Sequence, residues 1–386
     1  MTCVRVVPNR YTRDTLEASQ YLGLEAPASS GTVIEICTDG VTLDLSGVVL
    51  DGERKGGVGI WVHDCRDVTI ASGIVIGFHY GIRAENVSHL SIRRCVVSDN
   101  TNPLDAGWLP DIEAPVEEGF GGGIYLRRVR NSVIENNQTG NNFNGISLVR
   151  SDHNVISGNH ASHCGNVGIY LLKSSHNQVL DNQAEHCIRY TDRFWCDTAD
   201  SAGILLEDGS NHNRITGNSL RYSGDGFFIR GHHGEPSNDN FIAHNDGSYS
   251  PNNAFEAVFC SGNVFEDNVA NFSNYGFWLG YSTNSTVRGN EIRVNRFDGI
   301  AIEHGEGNAI EENRIEGNRN GIRLWSDPAR RGSATIGNTR RRYTISGNRI
   351  AASRESGIYV TDDHDAVLDE NVYESNACDL RRQPLR

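Results

Sequence analysis

Four carboxylates, Glu207, Asp225, Glu256 and Glu303, sit at related places in a series of glycine-led segments, and three large aromatics, Phe228, Trp278 and Trp325, sit between them. Paired carboxylates can do acid/base work, one holding a proton for a leaving group while the other activates water or attacks. Indole and phenyl rings beside them offer apolar faces to a ring-shaped ligand, while charged groups meet its hydroxyls. Whether these residues meet depends on the elements that carry them.

The carrying element is a repeat. A Gly-Ile/Phe-x-hydrophobic motif starts at Gly59, Gly81, Gly123, Gly145, Gly168, Gly203, Gly226, Ala254, Gly276, Gly299, Gly321 and Gly357, mostly 22 or 23 residues apart. A unit this short cannot bury its own apolar face, and stacking the units supplies the core. The repeats are rich in Gly and Val/Ile, with one Met and nine Pro in the whole chain, and have no apolar run at helical spacing. Short strands broken by polar turns follow, so the expected fold is all-β, a single-stranded parallel β-helix of about twelve coils. It should span residues 33–386 as one domain. Residues 1–32 precede the first clear rung, and "TRDTLEASQYLGLEA" there reads as a short capping helix. A second mark is an asparagine pair five residues apart, as in Asn154/Asn159, Asn213/Asn218 and Asn308/Asn313. Such residues are expected to form structural side-chain ladders from rung to rung.

Strand alternation then gives a candidate groove. Counting each segment's first residue as zero, positions +1 and +3 are apolar and face inward, so +2 and +4 face out. From Gly203 to Gly321 the outward set holds Glu207, Phe228, Arg230, Glu256, Trp278, Glu303, Arg323 and Trp325; Asp225 lies at −1, and Tyr281 and His304 at +5. The expected catalytic groups are Glu256, the most central, with Glu303 or Glu207 as its partner, and Asp225, Arg230 and His304 beside them. Expected substrate contacts are Phe228, Trp278, Trp325, Tyr281 and Arg323, joined by Trp195, His232 and His233 from longer connections. With rungs about 4.8 Å apart, Glu256 is about two rungs from Glu207 and Glu303, which favours an inverting over a retaining carboxyl separation.

The units "GISLVRSDHNVISGNHASHC", "GIYLLKSSHNQVLDNQAEHC" and "GILLEDGSNHNRITGNSL" resemble the right-handed parallel β-helix repeats of the NosD-like and carbohydrate-binding/sugar-hydrolase superfamily, from about Val33 to Cys378. The resemblance implies the right hand of the coil. It leaves the activity open, because that superfamily holds lyases, pectinase-like hydrolases, epimerases, tailspikes and binding proteins. "SGDGFFIRGHHGE" bears a faint likeness to pectinase-type hydrolases, with a single Asp225 where those have a pair; the "DPHD" string of mannuronan epimerases is absent. The expected function is a carbohydrate-active enzyme binding an oligo- or polysaccharide, with a glycoside hydrolase first. A uronate lyase or C5-epimerase is the second reading, and a non-catalytic glycan-binding or assembly module the third.

A formal charge of −14 disfavours nucleic acid as a partner. No segment has the length and apolarity of a membrane span, and "MTCVRVVPNRYTRD" lacks an apolar signal core. Nine cysteines, an odd number, with no small disulfide scaffold, lead us to expect free thiols and a cytoplasmic protein. Cys164 and Cys187, with His163 and His186 beside them, occupy equivalent places in consecutive units, which reads as stacking more than as a metal site. No metal or cofactor is expected, unless the substrate is a uronate and Ca²⁺ is held by Asp192, Asp197 and Asp200. Longer connections around 100–121, 188–202, 231–240 and 326–342 are expected to wall the groove, Trp108, Asp111, Glu113 and Glu235 being their other candidate residues. The rival account of the outward aromatics is cover by a second subunit, so a homo-oligomer stays open.

Overall fold

The computed structural model describes residues 2–5, 10–12, 31–101, 121–189, 200–231, 234–326, 342–361 and 365–383. Contacts divide the chain into two compact units, Met1–Tyr190 and Thr191–Arg386. Both consist of short parallel strands stacked coil upon coil. Among the described residues there is no α-helix, hence none long and apolar enough to cross a membrane.

In the first unit the glycine-led sheet runs through Thr32–Ile36, Val58–His63, Tyr80–Glu85, Gly122–Arg127, Asn144–Val149 and Val167–Leu172. Thr2–Arg5 and Arg10–Thr12, within the segment expected as a cap, are strands paired with Val41–Asp44 and Val49–Asp51. Most of the expected capping helix lies outside the described residues.

The second unit carries the candidate site. Its glycine-led sheet runs through Ala202–Glu207, Asp225–Arg230, Asn253–Ala257, Tyr275–Trp278, Ile300–Glu303, Asn320–Trp325, Ser356–Thr361 and Leu380–Gln383. A second sheet starts at Arg214–Thr216 and ends at Ala366–Asp369, and a third comprises Glu291–Arg293, Arg314–Glu316, Arg349–Ala351 and Val372–Glu374. Every pairing is parallel and in register, so equivalent residues of successive coils stack. Phe227 pairs with Phe255, and Phe255 with Phe277; all three are fully buried, Phe255 and Phe277 stacking at 4.9 Å. The leading glycine is required by close approach: a Cβ at Gly276 would sit 2.5 Å from the Gly299 carbonyl oxygen.

Asparagine ladders bind the turns. Asn218 donates its backbone N–H and its Nδ2 to Asn245 Oδ1, each at 2.9 Å. Asn245 donates in the same way to Asn268, and the line continues through Asn290, Asn313 and Asn348. These amides are essentially buried, so each bond satisfies groups that water cannot reach. Cys164 and Cys187 do stack with their thiols in hydrogen-bonding reach, and the His163 and His186 rings lie 4.8 Å apart. The seven cysteines whose side chains are described are all free.

Candidate functional site

Register places Phe228 beside Glu256 and Glu256 beside Trp278, while Asp225 opens the strand one rung before Glu256. Asp225 is fully buried. Its Oδ1 accepts three hydrogen bonds, from Asn252 Nδ2 at 2.8 Å, the Asn253 backbone N–H at 2.9 Å and Asn253 Nδ2 at 3.0 Å. Its Oδ2 is buried with no partner. Asn253 Nδ2 also donates to Glu256 Oε2, so one amide bridges the two acids, and the Glu256 carboxyl lies within hydrogen-bonding reach of Asp225.

Electrostatics make this a proton-sharing pair. Burial, reinforced by the negative charge of Asp200, pushes Asp225 up to about 7 against the pull of the Asn253 and Asn252 donors. Burial, then the charges of Asp225 and Asp200, hold Glu256 well above the ordinary carboxylate range. Two facing carboxyls cannot both ionise cheaply, and one proton between them supplies the donor that Asp225 Oδ2 lacks.

Arg230 does not neutralise the pair. Its guanidinium forms a two-pronged contact with Glu207, Nε to Oε1 at 3.0 Å and Nη2 to Oε2 at 3.2 Å, and reaches Asp200 Oδ2 at 3.6 Å. Glu207, 3 % exposed, is committed to that ion pair. The partner brought to Glu256 is therefore Asp225, where the spacing of outward positions favoured Glu207 or Glu303. Glu303 stands opposite Trp325 in register and lies 3.8 Å from His304 Nε2.

Asp298 shows how much the surroundings decide. It occupies the same −1 position as Asp225 and is equally buried. Yet Arg319 holds both its oxygens at 3.2 Å, Asn320 Nδ2 donates to Oδ1 at 2.8 Å, and Arg323 Nη1 lies 3.5 Å from Oδ2. Asp298 is an internal counter-ion; Asp225 has amides in place of guanidinium groups.

The aromatic positions are partly open. Trp278 meets Tyr275 at 4.9 Å and Trp325 at 5.4 Å, both edge to face. Arg323 lies over the Trp325 ring at 4.2 Å. Phe228 faces outward by alternation but is only 2 % exposed, so its ring offers no open platform. Tyr281 stacks between Phe259 and His304, each at 4.7 Å. Trp195, His232, His233, Asp192 and Asp197 lie outside the described residues, as do Trp108, Asp111 and Glu113. Among the described residues no three His, Cys, Asp or Glu side chains gather as a metal site. Asn252, Asn253 and Asp200 stand outside the +2 and +4 positions; the −1 column, Asp225, Asn253, Tyr275, Asp298 and Asn320, carries the signal for Asn253, while Asn252 and Asp200 lie one and two residues further back.

Solved structures share the fold at low identity. The Dettilon tailspike protein gp208 superposes with a TM-score of 0.51 at 15 % identity, over 89 % of this chain and 60 % of its own. The periplasmic alginate epimerase AlgG gives 0.48 at 13 %, over 100 % and 85 %. The catalytic domain of a GH87 α-1,3-glucanase gives 0.45 at 10 %, over 95 % and 70 %. No curated protein matches the chain by sequence. The family described as the right handed beta helix region matches residues 36–220 and 196–339, and the chain belongs to that right-handed β-helix family.

Proposed function

We propose that the protein is a carbohydrate-active enzyme, a glycoside hydrolase whose general acid is Glu256, with the buried Asp225 sharing and holding its proton. The observation that carries this reading is the pair itself: two carboxyls bridged by Asn253, both raised, one of them to about 7. A carboxyl still protonated near neutrality is what a leaving glycosidic oxygen requires. Because the two carboxyls lie within hydrogen-bonding reach, closer than a separation that admits a water, they act as one acid, and Glu303, about two rungs from Glu256, is the candidate base for the attacking water. Trp278, beside Glu256 in register, supplies an apolar face for a sugar ring.

A lyase or epimerase acting on a uronate needs a cation free to hold the substrate carboxylate as charge develops. Here Arg230 already faces Glu207 and Asp200, and the pair is surrounded by negative charge. That balance favours hydrolysis of a sugar without a carboxylate at the reacting residue.

The test is a glycan panel with product mass analysis, run on the native protein and on Glu256→Gln. Products heavier by water, and turnover lowered by roughly 10²–10⁴-fold in the variant, are expected. Unsaturated products would indicate a lyase, and unchanged mass with altered stereochemistry an epimerase. Full activity in Glu256→Gln would remove the pair from the chemistry.

A further inference from the structure

One aromatic near the pair is left open. Phe259 is 53 % exposed and lies three residues beyond Glu256 on the same coil, about 10 Å along an extended chain. One face of its ring stacks on Tyr281 at 4.7 Å and 14°, and Tyr281 stacks in turn on His304 at 4.7 Å and 15°. The equivalent place on the preceding coil is Gly231, which has no side chain; a Cβ there would meet the Phe259 carbonyl oxygen at 3.3 Å, the Glu235 carbonyl oxygen at 3.4 Å and Pro236 Cα at 3.5 Å. Among the described residues the ladder of rings therefore ends at Phe259, about half exposed, beside the coil that carries Arg230 and Asp225. Phe259 also has φ of 54°, a left-handed conformation unusual for a bulky residue and one that the neighbouring turn must impose.

We propose that Phe259 is a sugar-stacking subsite of the Asp225/Glu256 centre, its exposed ring taking the apolar face of a saccharide unit one or two residues from the bond that reacts. This rests on the hydrolase reading above. A hexose whose axial C–H groups lie on one face packs against an aromatic ring and keeps its hydroxyls in water, which suits a half-exposed ring at the end of a stack. Phe259 is a positioning residue: it touches substrate away from the reacting atoms, and it should matter only for ligands long enough to reach it.

The experiment measures binding in the Glu256→Gln background, so that turnover does not intervene. The probes are dimers and hexamers of cello-, laminari- and α-1,3-gluco-oligosaccharides and of oligogalacturonate. With Phe259→Ala added, affinity for the hexamer that binds best should fall roughly tenfold while affinity for its dimer is unchanged. Phe259→Trp should restore hexamer affinity, and its emission should shift to the blue on saturation. An equal loss for dimer and hexamer, or no loss for the hexamer, would overturn the subsite and leave the hydrolase reading intact. Failure of every probe to bind the Glu256→Gln protein would overturn the saccharide reading and the subsite with it.

Discussion

Asp225→Asn should make the protein more stable and less active, and the stability gain should depend on pH. Asparagine keeps an oxygen to accept from Asn252 and Asn253 and adds an N–H that can donate toward Glu256, while removing the buried charge. In the folded protein the Asp225 carboxyl titrates at about 7 against an ordinary 3.8. A shift of about three units corresponds to about 4 kcal/mol, since each unit is 1.36 kcal/mol. The folded state thus holds this proton more tightly than the unfolded chain. Stability associated with the protonated form is fully present below pH 3.8 and is lost as pH rises through 7. The variant escapes that loss. Its advantage should be largest at pH 8, up to about 4 kcal/mol, shrinking through pH 6 and vanishing below about pH 4. Denaturant unfolding of both proteins across this range measures the difference directly, and the same preparations should show turnover reduced by roughly 10²–10⁴-fold. An Asp225→Asn protein less stable than the native one at pH 8, or a difference that does not change with pH, would refute the argument that this carboxyl is a strained, proton-holding group.

Asp298→Asn should do the opposite despite its equivalent position, destabilising by about 3 kcal/mol at pH 7 because Arg319 and Arg323 lose their counter-ion; the same unfolding assay checks it. Asn245→Ala removes the acceptor for Asn218 and the donor to the Ile215 carbonyl, leaving buried groups unpartnered at a cost of about 3 kcal/mol. Activity should decline as pH rises above about 7, where Asp225 loses its proton, and a pH profile of kcat/KM that keeps rising to pH 9 would contradict the assignment. Of the seven cysteines with described side chains, exposed Cys37 and Cys378 should react with a thiol reagent before the buried five, since burial pushes Cys65 and Cys260 to about 11 and Cys95 to about 12; reaction of all seven in a single phase without denaturant would count against this.

The coil was legible because it is written in a period. A glycine every 22 or 23 residues with apolar +1 and +3 positions leaves few alternatives, and the asparagine spacing pointed directly to the ladders. The outward face was legible in direction but not in exposure: alternation places Phe228 outside, yet it is 2 % exposed, because what covers a strand face comes from elsewhere in the chain. Charge was the least legible property. Asp225 and Asp298 look alike in sequence, and only the side chains of the next coil, Asn252 and Asn253 for one and Arg319 and Arg323 for the other, separate a proton donor from a counter-ion. The flanking aromatics mark Glu256 as central, but its partner lies in the −1 column, at the first residue of the strand and outside the +2 and +4 positions that alternation turns outward.

The asparagine ladder of the second unit has a direction. From Asn218 through Asn348 each amide donates to the asparagine of the next coil, and from Asn245 on it also donates to a backbone carbonyl of the coil before. Such an array treats a whole coil as a unit of inheritance. Duplicating one complete repeat hands every donor to a new acceptor and leaves no bond broken, whereas adding a single residue to a rung would turn its amide out of line and strand the groups on both sides. Lengthening this protein by gene duplication is therefore a small step, and each added coil would extend the outer face with another set of +2, +4 and −1 positions on which new chemistry could be tried while Asp225 and Glu256 stay where they are.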